Sequence, residues 1–177
     1  MNNEAPQTND PFIDRMIEVC NDRGHAAELR RFWSPTTQHH SYPVLGQMRI
    51  FDGSDSRNYP KLTDNVKAIT AALYAVNPRH LSGGRSVGTA CNRLAGDAGF
   101  EAFERHFRRL LASDTLEEVG DQLHRIFKRM DRESITLDYN RVLKDLYSWS
   151  KWSENIKTRW SMDFWKTPAE IVAPSLP

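Results

Sequence analysis

Two cysteines in 177 residues are too few for a disulfide framework. Cys20 and Cys91 stand 71 positions apart with no CxxC or other ligand spacing, so two ordinary thiols in a reducing compartment are expected. No apolar run approaches the ~18 residues that a membrane span requires. The polar opening MNNEAPQTND lacks the apolar segment of a secretory signal. The chain therefore reads as cytoplasmic, with no membrane partner. Net charge is scarce as well: 24 Lys+Arg against 23 Asp+Glu leave +1. Any affinity for a polyanion must then come from local segregation of charge rather than its sum. The halves are not segregated either, because residues 100–177 hold 13 cationic and 13 anionic side chains.

Signatures of catalysis are missing too. There is no GxSxG, no Walker lysine motif, no HExxH and no HxE with PCxxC. His25, His80, His106 and His124 are isolated, and the adjacent His39 and His40 cannot converge on one ion from a single helix face. Glu117 and Glu118 are consecutive and sit where a helix N-terminus favours negative charge. The expectation is no catalytic residue, no metal and no cofactor; a small nuclease built on His39 and His40 is the weakest reading.

Strand alternation and solenoid repeats are also lacking, and what remains is helical. The expected fold is all-α, a compact bundle of about seven to eight helices in one domain over residues 11–166, with room for two subdomains. Residues 1–10 and 167–177 read as disordered tails. Pro11 opens a helix that buries Phe12, Ile13, Met16, Ile17 and Cys20. HAAELRRFW is a second helix, and Ser34 is the expected cap of SPTTQHH. A loop rich in Asp, Ser, Gly and Asn follows at residues 52–60, the best candidate for a mobile segment. Thr63 is the expected cap of a helix carrying Val66, Ile69, Leu73 and Val76 that Asn77-Pro78 ends. GTACNRLAG is a short helix stopped by Gly96 and Gly99. A further helix from about Asp138 to Trp149 turns Arg141, Lys144 and Lys151 outward, and Ser153 is the expected cap of the last one. Five Trp and eight Phe could each bury about 150–250 Å². Four of the Trp fall between residues 149 and 165, as a core lid or a docking surface.

Two stripes carry the functional signal. In FEAFERHFRRLLAS, Phe100, Phe103, Phe107, Leu110 and Leu111 recur at helical spacing, with Arg105, Arg108 and Arg109 on another face. In TLEEVGDQLHRIFKRMDR the seam is Leu116, Val119, Leu123, Ile126, Phe127 and Met130, and Arg125, Lys128, Arg129 and Arg132 line up beside it. Cations one turn apart, anchored by a buried face, suit successive phosphates. Acidic residues crowd the start of the second stripe and cations its end, which also complements the helix dipole. Further basic candidates are Arg30, Arg31, Lys61, Arg85, Lys144 and Lys151. The GGRSVG bend could present backbone amides and Arg85 to one phosphate, although a tight turn explains its glycines equally well. Four single-strand phosphates would give a salt slope of about −3, a modest binder suited to an assembly. The rows are expected to meet in one electropositive track.

LRRFWSPTTQHHSYPVLGQM, GRSVGTACNRLAG, FERHFRRLLASDTLEEVGDQLHRIFKRM, ITLDYNRVLKDLYSWSKW and TRWSMDFW resemble successive blocks of the CasB family, in family order over most of residues 25–165. That family is the small subunit of the type I-E CRISPR surveillance complex, Cascade. The resemblance implies a compact all-α, non-enzymatic subunit that packs beside a second copy of itself. It implies contact with the crRNA-bearing backbone subunits and the large subunit, and a basic surface that steadies both DNA strands of the R-loop. Guide pairing supplies the sequence reading, so backbone contacts suffice. By position, Arg31 matches a family arginine, Lys61 lies near a basic position, and Arg105, Arg125 and Lys151 match basic residues of their blocks. Leu111 and Asp114 stand where some relatives keep basic residues. The alternative is a scaffold that bridges subunits without touching nucleic acid, its stripes pairing with acidic protein surfaces.

Overall fold

The computed structural model describes residues 9–53, 55, 57 and 61–166. The tail segments 1–8 and 167–177, and positions 54, 56 and 58–60 of the expected mobile loop, lie outside the described residues. Among the described residues there are eight α-helices: α1 Pro11–Cys20, α2 Arg23–Arg30, α3 Tyr42–Gln47, α4 Leu62–Val76, α5 Val87–Ala98, α6 Phe100–Leu111, α7 Leu116–Arg132 and α8 Tyr139–Trp165. Two 3₁₀ turns, Arg31–Trp33 and Gln38–Ser41, link α2 to α3. The all-α expectation holds. The described residues contain no strand, only one isolated bridge between His80 and Leu137.

Helix α4 is the axis of the bundle. From Ala68 to Val76 every side chain is buried, the pattern of a helix surrounded by protein. Its alanines at 68, 71, 72 and 75 let neighbouring helices approach closely. Its last carbonyls do not face the core unpaired, because the buried Tyr139 hydroxyl donates to Asn77 O (2.7 Å). Around it, buried apolar residues of all eight helices form one continuous cluster.

Several local expectations change. Asn9 and Asp10 are not tail: Asp10 caps α1 by accepting from the Phe12 amide (2.8 Å), and Asn9 Oδ1 accepts from Asn140 (3.0 Å). His80 joins this junction as a neutral imidazole. Its Nδ1 accepts from the Tyr139 amide (3.1 Å), which leaves Nε2–H for Asn9 Oδ1 (2.9 Å). Burial holds its proton affinity below the usual histidine value. Ser34 caps no helix; its hydroxyl contacts Thr36 (3.1 Å), and the chain turns before the second 3₁₀ segment. Helix α4 begins before Thr63, and the Asp64 carboxylate accepts from the Lys61 amide (3.4 Å) at its start. Gly96 lies inside α5, so Gly99, with φ +93°, alone makes the break to α6.

The last two expected helices are one continuous element bent sharply at Trp152, whose φ −131° and ψ 25° are not helical. The bend is large. Trp160 Nε1 donates to Asp145 Oδ2 at 2.8 Å, whereas fifteen residues of straight helix would separate their backbones by about 22 Å. Arg159 holds the other carboxylate oxygen (2.9 Å), and the Trp149 and Trp160 rings meet at 5.4 Å. Trp149 and Trp160 are therefore core, while Trp152 (51 %) and Trp165 (38 %) stay exposed.

The returning half of α8 presses on the start of α5. Ser86 caps α5 and donates to Asp163 Oδ2 (2.6 Å). At Gly88 a Cβ would run into the Trp160 carbonyl oxygen and lie 2.7 Å from Asp163 Cβ. Since the blocking atoms include backbone, Gly88→Ala is expected to cost about 1–3 kcal/mol. Urea unfolding of that variant, beside Gly96→Ala where the space is open, measures the difference.

Candidate nucleic-acid interface

Burial decides which way the basic side chains face. All six seam residues of α7, from Leu116 to Met130, are buried, and Phe103, Phe107 and Leu110 of α6 join them. Phe100 departs from the expected seam at 40 % exposed, its ring stacked on Phe164 at 5.1 Å. With those seams fixed, Arg105, Arg108, Arg109, Arg125, Lys128, Arg129 and Arg132 are all turned to solvent.

Two groupings of these cations are defined by their neighbours. The first lies where α6 meets α7. Partial burial first, then Arg129 from α7 and Arg109 and Arg105 from α6, push the His106 imidazole below the usual value. Arg108 is excluded from this set because it is satisfied internally: it binds Glu104 at 2.8 Å and lies over the Trp165 ring at 5.3 Å.

The second grouping is a cleft between the Arg31–Trp33 turn and the C-terminal half of α7. Arg30, Arg31, Lys128 and Arg132 line it. Arg30 also donates to Ala75 O (3.2 Å) at the end of α4, and Arg31 stands 3.6 Å from Glu28. On its wall Trp33 and His124 stack at 4.5 Å with an interplanar angle of 8°. Desolvation first, then Lys128 and Arg125, bring the His124 pKa down to about 4.

The other sequence candidates lie elsewhere. Lys61 donates to Gly53 O (2.9 Å), at the start of α4 where Asn65 contacts Glu117 (3.5 Å) of the acidic first turn of α7. Arg85 donates to Thr136 (3.0 Å). Lys144 shares a depression with Arg141 and Arg159, but also with Asp145 and Asp163. Lys151 sits 5.4 Å above the exposed Trp152 ring. The GGRSVG bend also has an internal anion already: the Gly83 amide donates to the buried Asp138 carboxylate (3.0 Å). The acidic start of α7 has a partly structural role, since Glu118 accepts from the Asp114 and Thr115 amides, which hold its carboxyl below the usual range.

His39 and His40 do approach, with ring centroids 4.3 Å apart, and His40 Nδ1 lies 3.8 Å from Glu28. The 3₁₀ geometry of this segment, not foreseen from the sequence, permits it. Among the described residues, no three His, Cys, Asp or Glu side chains are grouped to hold a metal ion, and no helix is long and apolar enough to cross a membrane. Burial pushes the Cys20 thiol up to about 12 and raises Cys91 as well, which keeps both protonated and poorly nucleophilic at neutral pH.

Residues 25–165 match the family model of the CRISPR-associated protein Cse2. A Cse2-family protein from Thermus thermophilus superposes with a TM-score of 0.68 at 20% identity, covering 88% of this chain and 96% of that one. CasB from Thermobifida fusca gives 0.66 at 20% identity, covering 86% and 94%. A chain of a CRISPR RNA-guided surveillance complex gives 0.63 at 16% identity, covering 86% and 88%. These likenesses show the shared helical fold. No curated protein matches the chain.

The depressed His124 has a measurable consequence for stability. Its folded pKa of about 4 lies below the usual 6.5, so the unfolded chain binds the proton more readily. Its contribution is complete above pH 6.5 and is lost as pH falls toward 4. In His124→Gln, the decrease in Tm between pH 7 and pH 4.5 is expected to be smaller than in the unaltered chain. An equal decrease would show that the folded chain does not hold His124 below its usual value.

Proposed function

The chain belongs to the CRISPR-associated Cse2 family, and on that premise we propose that it is a non-catalytic small subunit of a type I-E Cascade complex. In this reading it holds crRNA, target strand and displaced strand by their backbones, stabilises the R-loop in antiviral defence, and works in the cytoplasm. Its protein partners are the backbone and large subunits and a second copy of itself. The observation that carries the proposal is the solvent-facing set Arg105, Arg109 and Arg129, whose charges all bear on His106. The three guanidiniums come from two helices, are turned to solvent, and have no ion pair among the described residues. Their positive field adds to burial in disfavouring a further charge on the His106 imidazole. An incoming phosphate relieves that repulsion, so the face gains more from a polyanion than isolated surface cations would. Contacts of this kind carry no base information, which suits an assembly whose guide RNA reads the sequence.

The scaffold reading draws on a different observation. Trp152 and Trp165 are exposed beside Lys151 and Arg108, and exposed aromatic–cation pairs are common anchors at protein interfaces. The two readings part on one variant. Replacing Arg105, Arg109 and Arg129 by Ala is expected to leave the subunit in the purified complex and to weaken target-DNA retention. The magnitude of the slope of log affinity against log salt should decrease by about 2–3. Loss of the subunit, with unchanged DNA affinity of the remaining complex, would establish the scaffold role instead.

A further inference from the structure

The cleft beside Trp33 differs in kind from the open face around His106. It encloses about 660 Å³, within the ~300–1,000 Å³ of sites that receive a small molecule or one unit of a polymer. Four cationic side chains and a single carboxylate, Asp131, line it, and that carboxylate is already paired with Arg79 at 3.3 Å. The cations approach from two sides, Arg30 and Arg31 from the end of α2 and Lys128 and Arg132 from α7. One anionic group between the walls meets the field of both sides at once. Ser34 and Thr37 add hydroxyls on the first wall. A phosphate alone would account for the charge, yet not for the rest of the lining. The Trp33–His124 pair and Val76 supply a weakly polar wall, against which a base packs in preference to water.

We propose that this cleft binds one nucleotide, its phosphate between the Arg30–Arg31 and Lys128–Arg132 walls and its base against the Trp33–His124 side. The proposal deepens the nucleic-acid reading above and rests on it for the polymer as one source. A free mononucleotide and an unpaired nucleotide of a strand share the recognised chemistry. The low proton affinity of His124 agrees with this assignment: the imidazole stays uncharged and weakly polar, and the positive charge is left to the walls.

Calorimetric titration of the full chain with AMP, adenosine and inorganic phosphate tests the site directly. AMP is expected to saturate one site at least ~10-fold more tightly than either fragment, because both halves of the cleft are engaged. Arg132→Gln, an exposed position, is expected to weaken AMP by about 10-fold through loss of one charge-assisted contact. Displacement of AMP by oligodeoxythymidylate identifies the strand as the source, and its retention identifies a free nucleotide. AMP binding no tighter than inorganic phosphate, or unchanged in Arg132→Gln, overturns the proposal. Unchanged oligonucleotide affinity after loss of Arg105, Arg109 and Arg129 would instead overturn the backbone reading and leave the AMP result standing.

Discussion

Burial of the α7 seam orients everything else of functional interest. Each fully buried Leu, Ile, Val, Phe or Met is worth about 1.5–3 kcal/mol, whereas repulsion between exposed cations a turn apart costs only a few tenths of a kcal/mol per pair. Six such residues pack inward from α7, so apolar burial sets the rotation of the helix and the arginines accept whatever neighbours it gives them. Helix α4 makes this possible. Buried all round along its later turns, it lets α7 and α8 close on it from different sides. The crowding of Arg129 toward the arginines of α6 is thus a consequence of packing, stable because the core outweighs it.

That imbalance also gives the surface its character. A protein of net charge +1 can still present a strongly positive face if its acids are used up elsewhere. Glu118 is bound to backbone amides, Asp138 and Asp145 are buried within hydrogen-bond networks, and Asp114 faces Lys157 at 3.5 Å. These anions serve the fold, and among the described residues Arg105, Arg109 and Arg129 have no ion pair. Arg108, satisfied by Glu104, is the exception that shows how readily the same helix could have been neutralised.

Periodicity made the large helices legible. The seams of α6 and α7, the termination of α4 at Asn77-Pro78 and the separation of α8 near Trp152 all follow from apolar spacing and breakers read along the chain. Short segments without a full period were not legible: α3 and the two 3₁₀ turns lie in a stretch of Ser, Pro, Thr and His where no face repeats. Caps were not legible: Asp10, read as tail, caps α1, whereas Ser34 caps nothing. At α4 the carboxylate that answers the first amide lies inside the helix, and Thr63 was a decoy.

The interface was half visible for a similar reason. Arg105, His106 and Arg109 are neighbours on one helix, but nothing in the order of residues says that Arg129 arrives beside them. Trp33 against His124 is likewise a pairing across the fold, set by how α2 and its 3₁₀ extension cross α7. In the GGRSVG bend, too, the partner of the Gly83 amide is distant in sequence: the Asp138 carboxylate.

The central claim is that guanidiniums from two helices create an unbalanced positive field at His106. Proton titration of the His106 imidazole by NMR, in the free chain and with single-stranded oligonucleotide bound, tests it most directly. The account predicts a free pKa below 6.5 that rises when phosphates neutralise the surrounding arginines. A free value at or above 6.5, or one that bound oligonucleotide leaves in place, would contradict it.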